Sequence, residues 1–369
     1  MIGPKAIIHL DRLIHNYNEI KTHVGDVPLM TVVKANAYGH GAVPIAQALQ
    51  KEGVTFFAVF TFEEAKELRE NGIKGDILVF GRMNREFVEE AADLNITLNL
   101  SQKEDIEILQ ELFLKNHKRP KVHLKIDTGM TRLGVSYDDA QSILSDLMYS
   151  PEIDCEGIYS HFATADEGDP TYAKWQFDQF NNVVKMADKM EFPIKYRHFS
   201  NSGAILNLPE TKLNMMRVGM LLYGAYPSDE VPRSLDLKPV MEFVAPIVTV
   251  RKVPKDTFIS YGGKFKTDKE TNIGVVQCGF ADGFPRPWYV DGHVMYKGEK
   301  YKIAGRVCMD QLTVDFGDTV PEVGENILLM GEGEHGSLQA EEIGQKINST
   351  TYLLFTAIGG RTERIFVNE

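Results

Sequence analysis

The chain has few cysteines, no surplus of basic charge and no long apolar run. Its 369 residues include three cysteines, Cys155, Cys278 and Cys308, an odd number spread far apart. That pattern excludes a disulfide framework and a thiolate metal site, so no metal is expected, and it fits a reducing compartment. Lysine and arginine number 40 against 52 acidic residues, a formal net charge of -12. Such a balance lacks the cation excess that neutralises phosphates, so neither nucleic acid nor an anionic membrane surface is an expected partner. No uninterrupted apolar run approaches the roughly 18 residues a membrane span needs. Met1-Ile2-Gly3-Pro4-Lys5 lacks the apolar core of an export signal and Asp11 soon follows, so the expected localisation is cytoplasmic.

Hydrophobic residues make up 43% of the chain, whose length suits a larger domain followed by a smaller one. Eight β-prone runs are separated by amphipathic helical stretches: Leu29 to Asn36, Phe56 to Phe60, Asp76 to Phe80, Ile96 to Leu100, Lys121 to Asp127, Ile153 to Phe162, Ile194 to Asn201 and Leu213 to Gly219. Eight βα units predict an α/β fold, a closed (β/α)8 TIM barrel. An open doubly wound sheet would normally carry a Gly-rich turn after its first strand, and no G-x-G-x-x-G stands there. After Tyr223-Gly224-Ala225-Tyr226-Pro227 the composition shifts, which divides the chain at Leu235 into a barrel over 1–235 and a mostly β domain over 236–369. The β-prone runs of that second domain include Phe243 to Val253, Asn272 to Gln277 and Gln311 to Val314.

The segment Val32-Val33-Lys34-Ala35-Asn36-Ala37-Tyr38-Gly39-His40-Gly41 delivers one lysine from an apolar run into a loop of small and polar residues. A partly desolvated amine has a lowered pKa and becomes a nucleophile toward carbonyl compounds. Alternation puts Val32, Lys34 and Asn36 on one face of the first strand and His123, Lys125 and Asp127 on one face of the fifth. The apolar face of the fifth meets the helices, so its polar face points into the barrel near its carboxyl end. Arg217 belongs to the inward face of the eighth run, with Leu213, Met215 and Gly219, and His161 ends the sixth. Asn201, Ser202, Gly219 and Met220 end the seventh and eighth, the usual phosphate corner of a barrel. Each residue also has a structural reading: Lys125 paired with Asp127, His161 bonded to backbone, Arg217 in an interior ion pair. Together, a nucleophilic lysine, a phosphate corner and an arginine suit an aldehyde cofactor that carries a phosphate.

The segments just quoted, with Lys125-Ile126-Asp127-Thr128-Gly129-Met130-Thr131-Arg132-Leu133-Gly134, Ser160-His161-Phe162-Ala163, Asn201-Ser202-Gly203-Ala204, Arg217-Val218-Gly219-Met220-Leu221-Leu222-Tyr223-Gly224, Ser260-Tyr261-Gly262 and Gly305-Arg306-Val307-Cys308-Met309-Asp310-Gln311, closely resemble the alanine racemase family over nearly the whole chain. That resemblance implies pyridoxal 5'-phosphate as cofactor, alanine as substrate, a role in supplying D-alanine for peptidoglycan, and a head-to-tail homodimer with shared sites. By the same resemblance Lys34 holds the cofactor covalently and is one catalytic base, while Tyr261 of a second copy is the other. Racemisation removes the α-proton from one face and returns one to the opposite face, which asks for two bases. Arg132 would stabilise the phenolate and bind the substrate carboxylate together with the backbone amide of Met309. Tyr38, Ser202, Gly219, Met220 and Tyr352 would hold the phosphate, and Asn201 joins that cofactor-binding set. Arg217 would face the pyridine nitrogen and, because a guanidinium gives up its proton with difficulty, weaken the electron sink. His161 would contact Arg217, and Lys125 matches a lysine that family members carry as a carbamate.

The chain departs from the family in Gly279-Phe280-Ala281-Asp282-Gly283-Phe284, where tyrosines are usual at Phe280 and Phe284. That change bears on the polarity of the substrate gate. The rival readings are a racemase of broader range or for serine, a barrel-type pyridoxal-phosphate decarboxylase, and a cofactor carrier without activity.

Overall fold

The first strand, β1 (Lys5–His9), does not join the barrel. The computed structural model, which describes residues 3–368, places β1 in the C-terminal sheet. There it pairs antiparallel with Met241–Val253 and parallel with Glu363–Val367. The segment between Tyr223 and Met241, where the division at Leu235 was expected, contains no helix or strand.

The barrel strands are β2 (Leu29–Val32), β3 (Phe56–Val59), β4 (Asp76–Arg82), β5 (Thr97–Leu100), β6 (Lys121–Asp127), β7 (Asp154–Tyr159), β8 (Tyr196–His198) and β9 (Met216–Val218). All are parallel in the order β9-β2-β3-β4-β5-β6-β7-β8, and a parallel bridge between His198 and Met215 brings the two edges together. The expected eight-stranded architecture is therefore present, nearly closed. Strands β2, β3 and β5 are buried at every position, as strands covered on both faces must be. The helix Phe62–Glu70 is representative of the outer layer. Thr61 and Glu64 form a reciprocal capping box at its start, and Phe62, Ala65 and Leu68 supply its buried stripe.

The second domain is a largely antiparallel sheet centred on the long strand Met241–Val253, whose first half lies between β1 on one edge and Asn326–Gly333 on the other and whose second half pairs with Thr271–Val276. Two short helices, Ala340–Lys346 and Thr351–Ala357, interrupt the β pattern, and the second packs against the Lys34 loop. Among the described residues no helix is long and apolar enough to cross a membrane, and no group of His, Cys, Asp or Glu is arranged to hold a metal.

The expected first barrel strand is too long. It ends at Val32, so Lys34 and Asn36 do not continue an inward strand face. Asn36 is exposed and its Oδ1 accepts a hydrogen bond from the Ala42 amide at 2.8 Å. The physical reason is the backbone itself, which leaves the extended region at Val33.

Candidate active site

Lys34 opens a turn in which Ala35, Asn36, Ala37 and Tyr38 all have φ between 50° and 53°, a short left-handed helical turn made without glycine. Each L-residue there costs roughly 1–2 kcal/mol relative to the right-handed form. Hydrogen bonds from Ala37 N to Val33 O (2.8 Å) and from Gly39 N to Ala35 O (2.9 Å) hold the turn, as does a bond from Ala35 N to Glu64 Oε1 (2.5 Å). Gly39 lies so close to the Thr351–Ala357 helix that a β-carbon would stand 2.2 Å from Phe355 O. The strain thus fixes both ends of one device: Lys34 at the mouth of the barrel and the buried Tyr38 ring beneath it.

Lys34, Lys125, Arg132 and Arg217 all line one cavity of about 410 Å³, and among the described residues no carboxylate lines it. Lys34, Lys125 and Arg132 make no ion pair or hydrogen bond among the described residues. Burial, then the Arg132 charge, holds the Lys34 amine below the ordinary lysine range. Burial, then Arg132 and Arg217, brings Lys125 down to about 8. The ion pair of Lys125 with Asp127 does not form. Asp127 Oδ1 instead accepts from the amides of Gly129 (2.9 Å) and Thr131 (3.0 Å), shaping the loop that presents Arg132. Lys125 and Arg217 both lie over the ring of Tyr159, at 5.6 and 5.5 Å from its centroid.

Arg217 is buried but meets no carboxylate among the described residues. Its Nη1 donates to His198 Nδ1 (2.8 Å) and His198 O (3.0 Å), and its Nη2 donates to Ser160 O (2.7 Å), Phe199 O (2.8 Å) and His161 Nδ1 (3.2 Å). Burial lowers the guanidinium to about 10, which leaves it a cation at neutral pH. The interior ion pair is therefore replaced by carbonyl and imidazole acceptors. His161 is held neutral by burial and by the adjacent Arg217 charge.

At the ends of β8 and β9, Ser202 Oγ accepts from the Gly219 amide at 3.1 Å, and Asn201 caps the short helix Ser202–Asn207 by accepting from Ala204 N at 3.0 Å. Asn201, Ser202, Gly219, Met220, Tyr38 and Tyr352 all reach the same cavity. Tyr352 comes from the C-terminal domain of the same chain, its ring 5.7 Å from that of Tyr38. Hydroxyls and backbone amides of this kind can hold a phosphate, and Lys34 can hold an aldehyde.

Tyr261 and Met309 are not brought to this cavity. They line a separate, open depression with Ser260, Gly262, Cys308, Asp310 and Gln311, and Tyr261 is 68% exposed, Met309 55%.

The family model for the alanine racemase N-terminal domain matches residues 8–227, and that for the alanine racemase C-terminal domain matches residues 240–366. The chain belongs to the alanine racemase family. It is 40% identical to alanine racemase 2 of Caldanaerobacter subterraneus subsp. tengcongensis, covering 98% of this chain and 94% of that one. To the alanine racemase of Carboxydothermus hydrogenoformans it is 39% identical, covering 98% and 99%. The solved alanine racemase of Clostridium difficile 630 superposes with a TM-score of 0.94 at 36% identity, over 100% of this chain and 97% of that one. The alanine racemase of Bartonella henselae with covalently bound pyridoxal phosphate superposes with a TM-score of 0.89 at 27% identity, covering 100% of both chains. The chain is thus an amino-acid racemase, an isomerase of alanine.

Several site residues of this racemase escaped the sequence pattern. Tyr159, Phe60, Phe80 and Leu133 line the cavity, and His198 is the nearest side-chain partner of Arg217. The alternation Tyr196, His198, Ser200 carries a signal for His198 of the same kind that marked Lys125. The apolar lining residues have no such signal, because a cavity wall and a core position look alike in sequence.

Proposed function

We propose that this racemase interconverts L- and D-alanine with pyridoxal 5'-phosphate, by two bases, Lys34 and the Tyr261 of a second copy in a homodimer. One observation carries the reading: among the described residues four cations converge on a cavity without a lining carboxylate, and three of them are unpaired. Such a cavity suits a phosphate and a substrate carboxylate bound together. The residues present fit the cofactor, with Lys34 for its aldehyde, Tyr38, Asn201, Ser202, Gly219, Met220 and Tyr352 about its phosphate, and Arg217 with His161 toward its ring nitrogen. When bound, the group supplies an imine-forming aldehyde and a conjugated ring that takes up electrons from the substrate α-carbon.

The protein's own groups then do the following. Lys34, its amine held below the ordinary lysine range by burial, is the base that takes or returns a proton on one face. Arg132, exposed at the rim and without a partner, binds the substrate carboxylate, assisted by the Met309 amide of the second copy. The exposed Tyr261 offers its Oη to the opposite face, stabilised as phenolate by Arg132. Arg217 stays charged and donates without transferring its proton, which keeps charge from accumulating on the ring. Lys125, with its pKa near 8, carries a carbamate that turns one of the crowded cations into an anion beside Arg132. The enzyme acts in the cytoplasm, and its D-alanine serves cell-wall peptidoglycan.

Incubation with each L-amino acid followed by chiral separation tests reaction and range together. D-alanine from L-alanine is the expected product. Release of carbon dioxide, or the absence of α-proton exchange in heavy water, overturns the proposal.

A further inference from the structure

A line of buried polar groups runs from Arg217 away from the cavity toward the amino-terminal rim of the barrel. Arg217 Nη1 donates to His198 Nδ1 at 2.8 Å, and His198 Nε2 meets His123 Nδ1 at 2.8 Å. Beyond His123, its Nε2 stands 4.0 Å from Glu156 Oε1, and both of these atoms are buried with no hydrogen-bond partner among the described residues. Both imidazoles are completely buried. Phe56 and Tyr196 cover the ring of His123, and Tyr159 stacks on His198 at 4.8 Å.

Proton counting gives this line a direction. A guanidinium only donates, so His198 Nδ1 accepts and the ring proton of neutral His198 sits on Nε2. That N–H donates to His123 Nδ1, so the proton of neutral His123 also sits on Nε2 and points at Glu156. Burial, with the positive charge of Arg217 second, keeps both rings neutral.

The fold is built around this line. The pairing of β6 with β7 slips at one place, where Val122 pairs with Cys155 and His123 with Gly157, which leaves Glu156 as the extra residue of a bulge. Bulges re-aim side chains. Opposite His123, a β-carbon on Gly157 would stand 2.6 Å from the imidazole ring, so glycine is what leaves the ring its slot. Burial raises the Glu156 carboxyl above its ordinary range, and Lys121 and Lys195, at 3.9 and 3.8 Å on the rim, oppose that shift and favour its anion.

We propose that Glu156 is a positioning residue for Arg217: its carboxylate, at the far end of the barrel from the cavity, reinforces the Nε2–H form of His123 and His198 that the guanidinium sets from the other end, and so holds His198 Nδ1 as the acceptor that orients the guanidinium. Closing the 4.0 Å gap to hydrogen-bond range needs a movement of about 1 Å. The consequence for catalysis rests on the cofactor-facing role proposed for Arg217; the tautomers do not.

The test is long-range 1H–15N correlation on histidine-labelled holoenzyme, with His123 and His198 assigned by single substitution and kcat and KM measured in parallel. Wild type should show both rings protonated at Nε2. Glu156→Gln, which keeps an acceptor oxygen, and Lys195→Met, which removes only a rim partner, should preserve both tautomers and kcat. Glu156→Leu should mix the His123 tautomers and lower kcat on the order of tenfold with KM held, as loss of an outer partner typically does. A wild-type His123 protonated at Nδ1 overturns the proposal even if Glu156→Leu fails to fold. Unchanged tautomers in a folded Glu156→Leu overturn it too, and shifted tautomers with unchanged kcat overturn the link to Arg217. If wild type does not racemise alanine, the function proposed above fails and the tautomer pattern still decides this one.

Discussion

The hydroxyl of Tyr38 stands 2.7 Å from where a β-carbon on residue 219 would be, so glycine at that corner and the buried tyrosine occupy one shared space. The two come from opposite ends of the barrel sequence, one from the strained turn after Lys34 and the other from the end of β9. Their contact closes the corner assigned to the cofactor phosphate.

Gly219→Ala should therefore displace the Tyr38 hydroxyl and weaken cofactor binding by about 1–3 kcal/mol, the usual cost of overpacking. Equilibrium titration of the apoprotein with pyridoxal phosphate, read by absorbance, measures it. An affinity equal to wild type removes the phosphate corner from this place.

Lys125 should take up carbon dioxide. The neutral amine attacks the carbon, an N–C bond forms and one proton leaves, so the product is an anion. Because its pKa is lowered to about 8 by burial first, the reactive neutral form grows as pH rises through that value at fixed carbon dioxide pressure. A 13C resonance from labelled carbon dioxide, absent in Lys125→Ala, is the expected signal. An unmodified Lys125 in native mass measurement at alkaline pH contradicts it.

Chains carrying Lys34→Ala and chains carrying Tyr261→Ala should each be inactive alone. Mixed after dissociation, random pairing makes half the dimers hybrid, each with one intact site of two, so about a quarter of wild-type activity returns. Failure to recover activity, with hybrid dimers demonstrated by native mass measurement, rules out sites shared between copies.

Acid should destabilise the fold in a window set by its buried histidines. Burial, as the leading cause, depresses His40 to about 4 and His123 to about 3, and pushes His161 and His198 well down. Above an ordinary histidine pKa of about 6.5 folded and unfolded rings are both neutral and this stability is complete. As pH falls below that, only the unfolded chain gains protons, and each such histidine removes up to about 1.4 kcal/mol per pH unit until its folded pKa is reached. The urea midpoint should therefore drop between about pH 7 and pH 5. A flat midpoint would show that these rings are not buried neutral.

Much of the barrel was legible because its code is local. Alternating apolar and helical periods announce βα units, and small-residue loops after β-branched runs mark where Lys34, Ser202 and Gly219 fall. Strand ends were less legible. The run from Leu29 through Asn36 reads as one strand, yet backbone strain ends it at Val32, and that strain is sustained by Phe355, Glu64 and other partners remote in sequence.

What the sequence by itself determined is the kind of chemistry: an amine in a loop, a set of cations and hydroxyls at strand ends, and a βα rhythm that gathers them at one rim. What only the tertiary structure decided is which of these groups have partners. Local periodicity sets the face a side chain takes, whereas pairing depends on contacts closed across the whole chain. So the acceptors of Arg217, the return of β1 to the distant sheet, and the bulge that turns Glu156 toward His123 came into view only with the fold.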